Sequence, residues 1–256
     1  MFNQFTMRGL SALALAITVL AGGATADIIL PTGLPPGSQF QIAFVTADTI
    51  DAFGGGESTY NTFVASEVNA SPTLASLGVA WTAITTTRDG TDACDNAPTY
   101  AGVPIYDTQG NLLSATGMLY LVWNTNWPYG WAGGLDSPIM ANQFGVSIAS
   151  GTSVWTGSNP DGRKDVTPGS EPLGALQMGD TSNYMAMVAV PGASDRIYWM
   201  TAGGDNFAYY GTTIYHPVYA LSSRITVAPE PGTLVLLGMA TLGLGLVHLR
   251  RRSPTA

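Results

Sequence analysis

Alternating apolar and polar residues occur in several short stretches between residues 39 and 227, a period-two pattern typical of β-strands. The clearest stretches are 39–46, 79–86 and 217–227, and shorter ones are 103–106, 153–157 and 196–200. Between Tyr60 and Leu77 the apolar residues instead keep helical spacing, with a break at Pro72 and with Ser58 placed to cap the first turn. One or two helices followed by many short strands predict an α+β fold.

The C-terminal region contains one apolar stretch of membrane length. Residues 233–249 carry no acidic, lysine or arginine side chain, and Arg250, Arg251 and Arg252 follow directly. As a helix this stretch is about 25 Å long, close to the minimum for a hydrocarbon core of ~30 Å. Because positive flanking residues stay in the cytoplasm, we expect a transmembrane helix over 233–249 with the arginines inside.

The N-terminal region has the layout of a secretory signal peptide. An apolar run over residues 10–20 follows Arg8, and the small-residue site 24–26 comes next. We expect signal peptidase to remove residues 1–26, so that residues 27–228 form one exported domain. An N-terminal anchor that is never cut is the alternative interpretation.

A short proline motif joins the exported region to the membrane stretch. Pro229, Glu230 and Pro231 form an extended segment, because proline cannot continue a helix upstream. The motif, the apolar stretch and the arginine cluster, in this order, resemble the PEP-CTERM sorting signal, which would cover residues 229–256. The resemblance implies that an exosortase recognises the motif and cuts the tail. The protein would then pass from an inner-membrane-anchored precursor to the cell surface or the extracellular space. On the residues alone, a plain single-pass anchor remains open.

The exported region is acidic and has few charged residues. Residues 27–228 carry five basic and sixteen acidic side chains, and Lys164 is their only lysine. Charge attraction to nucleic acid is therefore excluded, whereas divalent cations and neutral, hydroxyl-rich ligands are not. Cys94 is the only cysteine, so no disulfide forms within the chain. The adjacent Asp92 and Asp95 are expected to raise the pKa of its thiol and reduce its reactivity, although a free thiol or an intermolecular link is the alternative.

Several segments of the exported region resemble the C-type-lectin-like or endostatin-like domains of bacterial exported proteins. The segments read VAWTAITTT, GVPIYDTQGNLL, VWTGSNPDG and HPVYALSSRITV. The resemblance implies a lectin-like α+β domain with a surface role beside exopolysaccharide and biofilm. The chain lacks the disulfide cysteines of the animal lectins, and it also lacks their calcium-binding Glu-Pro-Asn or Gln-Pro-Asp tripeptide, so their sugar site does not carry over.

Three aspartates form a candidate calcium site. Asp89, Asp92 and Asp95 lie in one loop together with Asn96, and hard oxygen ligands at short spacing suit Ca²⁺. The alternative is that aspartate is present because it favours turns. The sequence predicts no other cofactor.

Aromatic residues cluster in one segment that is a candidate glycan-binding platform. Trp123, Trp127 and Trp131 lie within nine residues, and the Pro128 and glycine residues among them predict a loop rather than a strand. Exposed rings would stack on sugar faces. The alternative is that the rings fold back onto the core.

The sequence contains no clear catalytic signature, which predicts a protein that is not an enzyme. His216 is the only histidine of the exported region, and its place before Pro217 favours a turn or rim position. The alternative function is a secreted polysaccharide hydrolase in which a carboxylate pair such as Asp136 and Asp205 acts as acid and base.

Overall fold

The computed structural model describes the central part of the chain with several gaps. The described residues are 28–52, 55–87, 89–123, 131–164, 170–171, 185–189, 199–200, 203–206, 208–209, 212–228 and 239. The predicted signal peptide 1–26 lies outside them, as do Trp127, the predicted sorting motif 229–231 and, apart from Met239, the predicted membrane helix 233–249. No helix within the described ranges has the length and hydropathy needed to cross a bilayer.

The described part is dominated by strands and has few helices, which confirms an α+β-like fold. The helices are α1 Glu57–Ala70, α2 Pro72–Ser76 and α3 Ala93–Asn96. The strands up to the first gap are β1 Gln39–Val45, β2 Ile50–Asp51, β3 Trp81–Ala83, β4 Ile105–Asp107, β5 Leu112–Ser114 and β6 Leu121–Trp123. The middle strands are β7 Trp131–Gly133, β8 Val154–Trp155, β9 Ser170–Glu171, β10 Met185–Ala189 and β11 Gly203–Asn206. The last strands are β12 Ala208–Tyr209, β13 Thr212–Thr213, β14 Tyr215–His216, β15 Tyr219–Ser222 and β16 Ile225–Thr226.

A six-stranded sheet organises the fold around its first strand. The strand order is β3-β15-β1-β4-β5, and β16 pairs with the start of β1. Strand β1 runs antiparallel to β15 and parallel to β4. The first and last strands of the domain are therefore neighbours at the centre of the sheet.

Both faces of this sheet are buried. Along β1, Phe40, Ile42 and Phe44 pack into one core cluster with the apolar face of α1. The intervening Ala43 and Val45 pack into a second cluster, which includes Trp199. Alternate residues of a strand point to opposite faces, so the period-two pattern of 39–46 divides between two cores.

Smaller sheets and ribbons complete the described part. Strand β10 lies between β11 and β8 and also pairs with β9. Two-stranded ribbons form from β2 with β14, β6 with β7, and β12 with β13.

Several sequence predictions of elements need correction. Helix α1 begins after Gly56, which makes no side-chain cap, so the expected Ser58 cap is wrong. The single strand expected over 217–227 is two strands, β15 and β16, separated by Ser223 and Arg224. The part of 196–200 that the structure describes, residues 199–200, is a turn rather than a strand. The loop expected over 88–100 contains the short helix α3.

Candidate functional site

The N-terminus of α1 is capped from a distant loop. Asp89 Oδ2 accepts a hydrogen bond from the backbone N–H of Glu57 at 2.9 Å. Its other oxygen accepts bonds from the Thr87 hydroxyl at 2.6 Å and from the Thr91 N–H at 3.4 Å. A Cβ at Gly56 would overlap the same carboxylate, so glycine lets the loop approach. The Thr87 hydroxyl, with smaller effects from the Glu57 and Thr91 N–H groups, holds the pKa of Asp89 below its usual range against the opposing effect of burial.

An asparagine pair joins α1 and α3 to strand β3. Asn61 Oδ1 accepts the Ala83 N–H at 2.8 Å, and Asn96 Nδ2 donates to the Ala83 carbonyl at 2.8 Å. The two side chains also bond to each other at 2.9 and 3.1 Å. Strand β3 is at the edge of the sheet, so the amides satisfy backbone groups that have no neighbouring strand.

A shallow polar cleft of about 530 Å³ lies beside the start of α1. Its lining consists of Glu57, Ser58, Asn61, Thr62, Ala65 and Asp89. Asn61 bonds to β3 and Asp89 caps α1, so much of the polar lining of the cleft stabilises the fold. Among the described residues, none of those that line the cleft is aromatic, so none offers a ring on which a sugar could stack.

The predicted calcium ligands do not come together as a set of three. Asp92 and Asp95 lie near the thiol of Cys94, with one ligand atom from each residue within 4.8 Å of the others. Asp89 is not in this group, because its carboxylate caps α1. Asp92 Oδ1 also accepts the N–H of Lys164 at 2.9 Å.

The thiol within this group is poorly suited to a metal. Burial raises the pKa of Cys94, and the negative charges of Asp95 and Asp92 add to the increase against the opposing effect of Arg163. A protonated thiol is a weak ligand, and Ca²⁺ prefers oxygen. The group can attract cations through two carboxylates, but its geometry does not reproduce the predicted site.

The segment around Cys94 is held by packing and backbone bonds. The Tyr120 hydroxyl donates to the carbonyls of Ala93 and Ala97 at 2.7 and 2.9 Å. The Cys94 N–H donates to the Gly162 carbonyl at 3.1 Å. A Cβ at Gly162 would lie 2.6 Å from the Tyr120 ring and 3.0 Å from the Cys94 Cβ. These contacts fix α3 against the turn that follows β8.

The two described ends of the aromatic segment are strands rather than the predicted loop, and residues 124–130 between them lie outside the described part. Trp123 ends β6 and Trp131 begins β7, and the two residues are register partners. Directly opposed residues of an antiparallel pair lie on the same face, so the ribbon places both positions together. The third residue of the candidate platform, Trp127, is outside the described residues.

The candidate catalytic residues lie in separate structural settings. His216 belongs to β14, and its ring lies 4.5 Å from the Trp155 ring. Asp136 Oδ2 accepts the Ala115 N–H at 3.3 Å. Asp205 belongs to β11, where it pairs with Ala186 of β10.

The sequence interpretation assigned no role to the buried carboxylate of Glu67. Glu67 is 4% exposed, and its Oε2 accepts the Asp48 N–H at 3.0 Å and Gln143 Nε2 at 2.7 Å. Gln143 in turn accepts the Ala47 N–H at 2.8 Å. The available signal was its position seven residues after Tyr60, on the apolar face of the helix.

The described residue range 212–228 comes directly before the predicted sorting motif. The Val227 N–H donates to the Ser38 carbonyl at 2.9 Å, and the Val227 carbonyl accepts the Gly37 N–H at 2.8 Å. Only Ala228 separates this residue from Pro229.

No protein-family model matches the chain, and no curated protein resembles it at a significant level.

Proposed function

We propose that this protein is an exported, PEP-CTERM-type substrate of an exosortase. The precursor is anchored in the inner membrane by helix 233–249, and the processed protein reaches the cell surface or the extracellular matrix. The observation that carries the proposal is the order Pro229-Glu230-Pro231, apolar stretch and Arg250–Arg252. Its position supports the proposal, because the motif begins two residues after Val227, which follows β16 and bonds to the backbone of Gly37 and Ser38.

The domain itself acts as a surface or matrix protein rather than an enzyme. In support, the Asp89 carboxylate caps a helix, the Cys94 thiol has a raised pKa, and His216 packs on Trp155. Glu67 also has a structural role, since its carboxylate accepts hydrogen bonds from the Asp48 N–H and the Gln143 amide. The polysaccharide hydrolase alternative has no observation of comparable weight, because Asp136 bonds to the backbone beside β5.

The finer fold assignment is also a proposal. A C-type-lectin-like domain agrees with the central pairing of the first strand with the closing segment, over Ala43–Leu221 to Val45–Tyr219. It also agrees with two core clusters on opposite faces of one sheet.

Within this role, contact with exopolysaccharide is assigned to the aromatic ribbon. The backbone register that pairs position 123 with position 131 supports a platform, because both positions lie on one face of the ribbon. The acidic character of the exported region favours neutral sugars over acidic polymers.

The test measures the intact mass and the membrane fractionation of the protein in cells with and without the exosortase. A mature form without residues 1–26, with the tail lost near Pro229-Glu230-Pro231 only when the enzyme is present, supports the proposal. A variant with Glu230→Ala should accumulate in the inner membrane, and Glu57→Ala serves as a control for loss of an acidic side chain elsewhere. Full-length protein in the inner membrane of both strains contradicts sorting.

A further inference from the structure

One end of the six-stranded sheet carries few charged side chains. This end, here called the neutral end, consists of the segments that lead into β1, β3 and β4 and those that follow β5 and β15. The segments are 33–38, 77–80, 98–104, 115–117 and 223–228. They contain one charged side chain, Arg224, and one exposed carboxylate, Asp136, reaches them through its hydrogen bond with the Ala115 N–H.

Backbone bonds hold these segments together. Gly37 and Ser38 bond to Val227, the Ser223 N–H donates to the Ala80 carbonyl at 2.7 Å, and the Gly102 N–H donates to the Thr116 carbonyl at 2.8 Å. The exposed residues of this end are small or neutral, and they include Pro35, Pro36, Gly78, Ala101 and Ala115.

Arg224 is the exception, and its side chain is exposed. Its guanidinium lies 4.3 Å from the centre of the Tyr100 ring and 3.4 Å from Gln39 Oε1. A cation next to an aromatic ring is a suitable group for the headgroup region of a bilayer.

Two acidic residues lie beyond the other end of the same strands, because Asp48 and Asp51 come after β1. A seven-residue strand is about 23 Å long, which is more than twice the Debye length of ~8 Å at physiological salt. The two ends therefore present different electrostatic surfaces.

The length of the connection to the membrane decides which end faces it. Six residue steps separate Val227 from Thr233, the first residue of the predicted span, and they reach at most about 20 Å. A domain of this size has a radius of gyration of about 16 Å, so it is roughly 40 Å across. The connection is too short for the domain to turn its far end to the bilayer.

We propose that the neutral end is a membrane-facing surface that rests on anionic phospholipid headgroups in the anchored precursor, with Arg224 as its cationic contact. The opposite end, with the turn 142–147, then points away from the cell. This orientation rests on the proposed membrane anchor. It keeps Asp48 and Asp51 away from anionic lipid and needs no insertion of the domain.

The experiment uses the full chain in vesicles of phosphatidylethanolamine and phosphatidylglycerol that contain a headgroup-nitroxide lipid. On a Cys94→Ser background, a fluorescent label is placed through Ala101→Cys at the neutral end or Val146→Cys at the far end; both positions are exposed. Quenching at residue 101 should exceed quenching at residue 146 several-fold. Adding Arg224→Gln should reduce quenching at residue 101, whereas Lys164→Gln, which removes a cation elsewhere, should not.

Equal quenching at the two positions, or stronger quenching at residue 146, would overturn the orientation. If either labelled variant fails to give the native near-ultraviolet circular dichroism, the pair Thr226→Cys and Tyr215→Cys replaces it at the same two ends. Flotation of the chain with the vesicles is measured first. A chain that does not float contradicts the anchor itself, and a chain that floats without the quenching difference contradicts the orientation alone.

Discussion

Glu67 shows how one buried side chain connects a helix to two loops. It accepts hydrogen bonds from the Asp48 backbone and the Gln143 amide while being almost fully buried. Removing a buried acceptor leaves its donors unsatisfied, which costs ~1–3 kcal/mol for each group. The stabilising contribution of Glu67 therefore depends on its oxygen more than on its charge.

The corresponding prediction compares two substitutions of Glu67. Glu67→Leu should lower the free energy of unfolding by about 3 kcal/mol, since both donors lose their acceptor. Glu67→Gln should cost about 1 kcal/mol, because one amide oxygen can accept both bonds. Urea unfolding of the full chain in detergent, followed by tryptophan fluorescence, measures both values. Equal losses would mean that the hydrogen bonds do not account for the effect.

Asp89 leads to a prediction of pH dependence. Its folded pKa is lowered, chiefly by the Thr87 hydroxyl, so the stabilisation is present above the unfolded value of about 3.9 and is lost as the pH falls through the lower folded value. Asp89→Ala should cost about 0.5–1 kcal/mol at neutral pH, as for the loss of an exposed helix cap. The cost should shrink towards pH 3. Asp95→Ala, an exposed aspartate on α3, is the control. A constant difference between Asp89→Ala and the unmodified chain across this range would contradict the assignment.

At the scale of elements, the edge of the main sheet is closed by side chains rather than by another strand. Asn61 and Asn96 bond to each other and to both backbone groups of Ala83. The arrangement joins two helices to β3 and blocks the position at which a foreign strand would pair.

A double-mutant cycle tests this junction. Asn61→Ala and Asn96→Ala should each lower the free energy of unfolding by about 2 kcal/mol, because buried backbone groups lose partners. The double variant should lose less than the sum, with a coupling energy of ~0.5–3 kcal/mol. The exposed Asn69→Ala on the same helix should have little effect. Additive losses would show that the two amides act independently.

The elements that follow local pattern could be predicted from the sequence, and those fixed by distant partners could not. The alternation of 39–46 and the break at Pro72 identified β1, α1 and α2. The cap of α1 was missed because its acceptor, Asp89, is 32 residues from Glu57. The ribbon of β6 and β7 was missed because proline and glycine between two short strands also predict a loop.

At the scale of the molecule, the sequence indicated which residues could bind a metal, but it did not indicate which of them the fold brings together. Spacing placed Asp89, Asp92 and Asp95 in one loop, but a loop of this length can direct neighbouring side chains to different partners. In the structure, Asp92 and Asp95 lie close to Cys94, whereas the Asp89 carboxylate accepts the Glu57 N–H at the start of α1. No sequence motif predicted the role of Glu67, because its hydrogen-bond partners lie in loops that are distant in sequence.

The aromatic ribbon leads to a prediction about binding. If Trp123 and Trp131 hold a glycan together, the double alanine variant should lose at least tenfold in affinity for the exopolysaccharide secreted by the producing strain, or about 1.4 kcal/mol. Affinity electrophoresis in gels that contain this polymer measures the change. Tyr215→Ala removes an aromatic side chain that is 54% exposed elsewhere and should leave the mobility unchanged. Equal retention of the unmodified chain, the double alanine variant and Tyr215→Ala would show that the ribbon does not bind the polysaccharide.

In the proposed anchored precursor, a short connection to the membrane sets the orientation of the domain, so lengthening this connection should abolish the orientation without affecting the fold. A flexible Gly-Ser insert of about 30 residues after Ala228 gives a root-mean-square span near 30 Å, enough for the domain to rotate freely. Quenching by headgroup nitroxides at residue 101 should then fall towards the value at residue 146, while the thermal unfolding midpoint stays the same. A rigid attachment through β16 predicts this result, because Val227 bonds on both sides to Gly37 and Ser38. Unchanged quenching with the insert would mean that the neutral end binds lipid strongly enough to need no short connection.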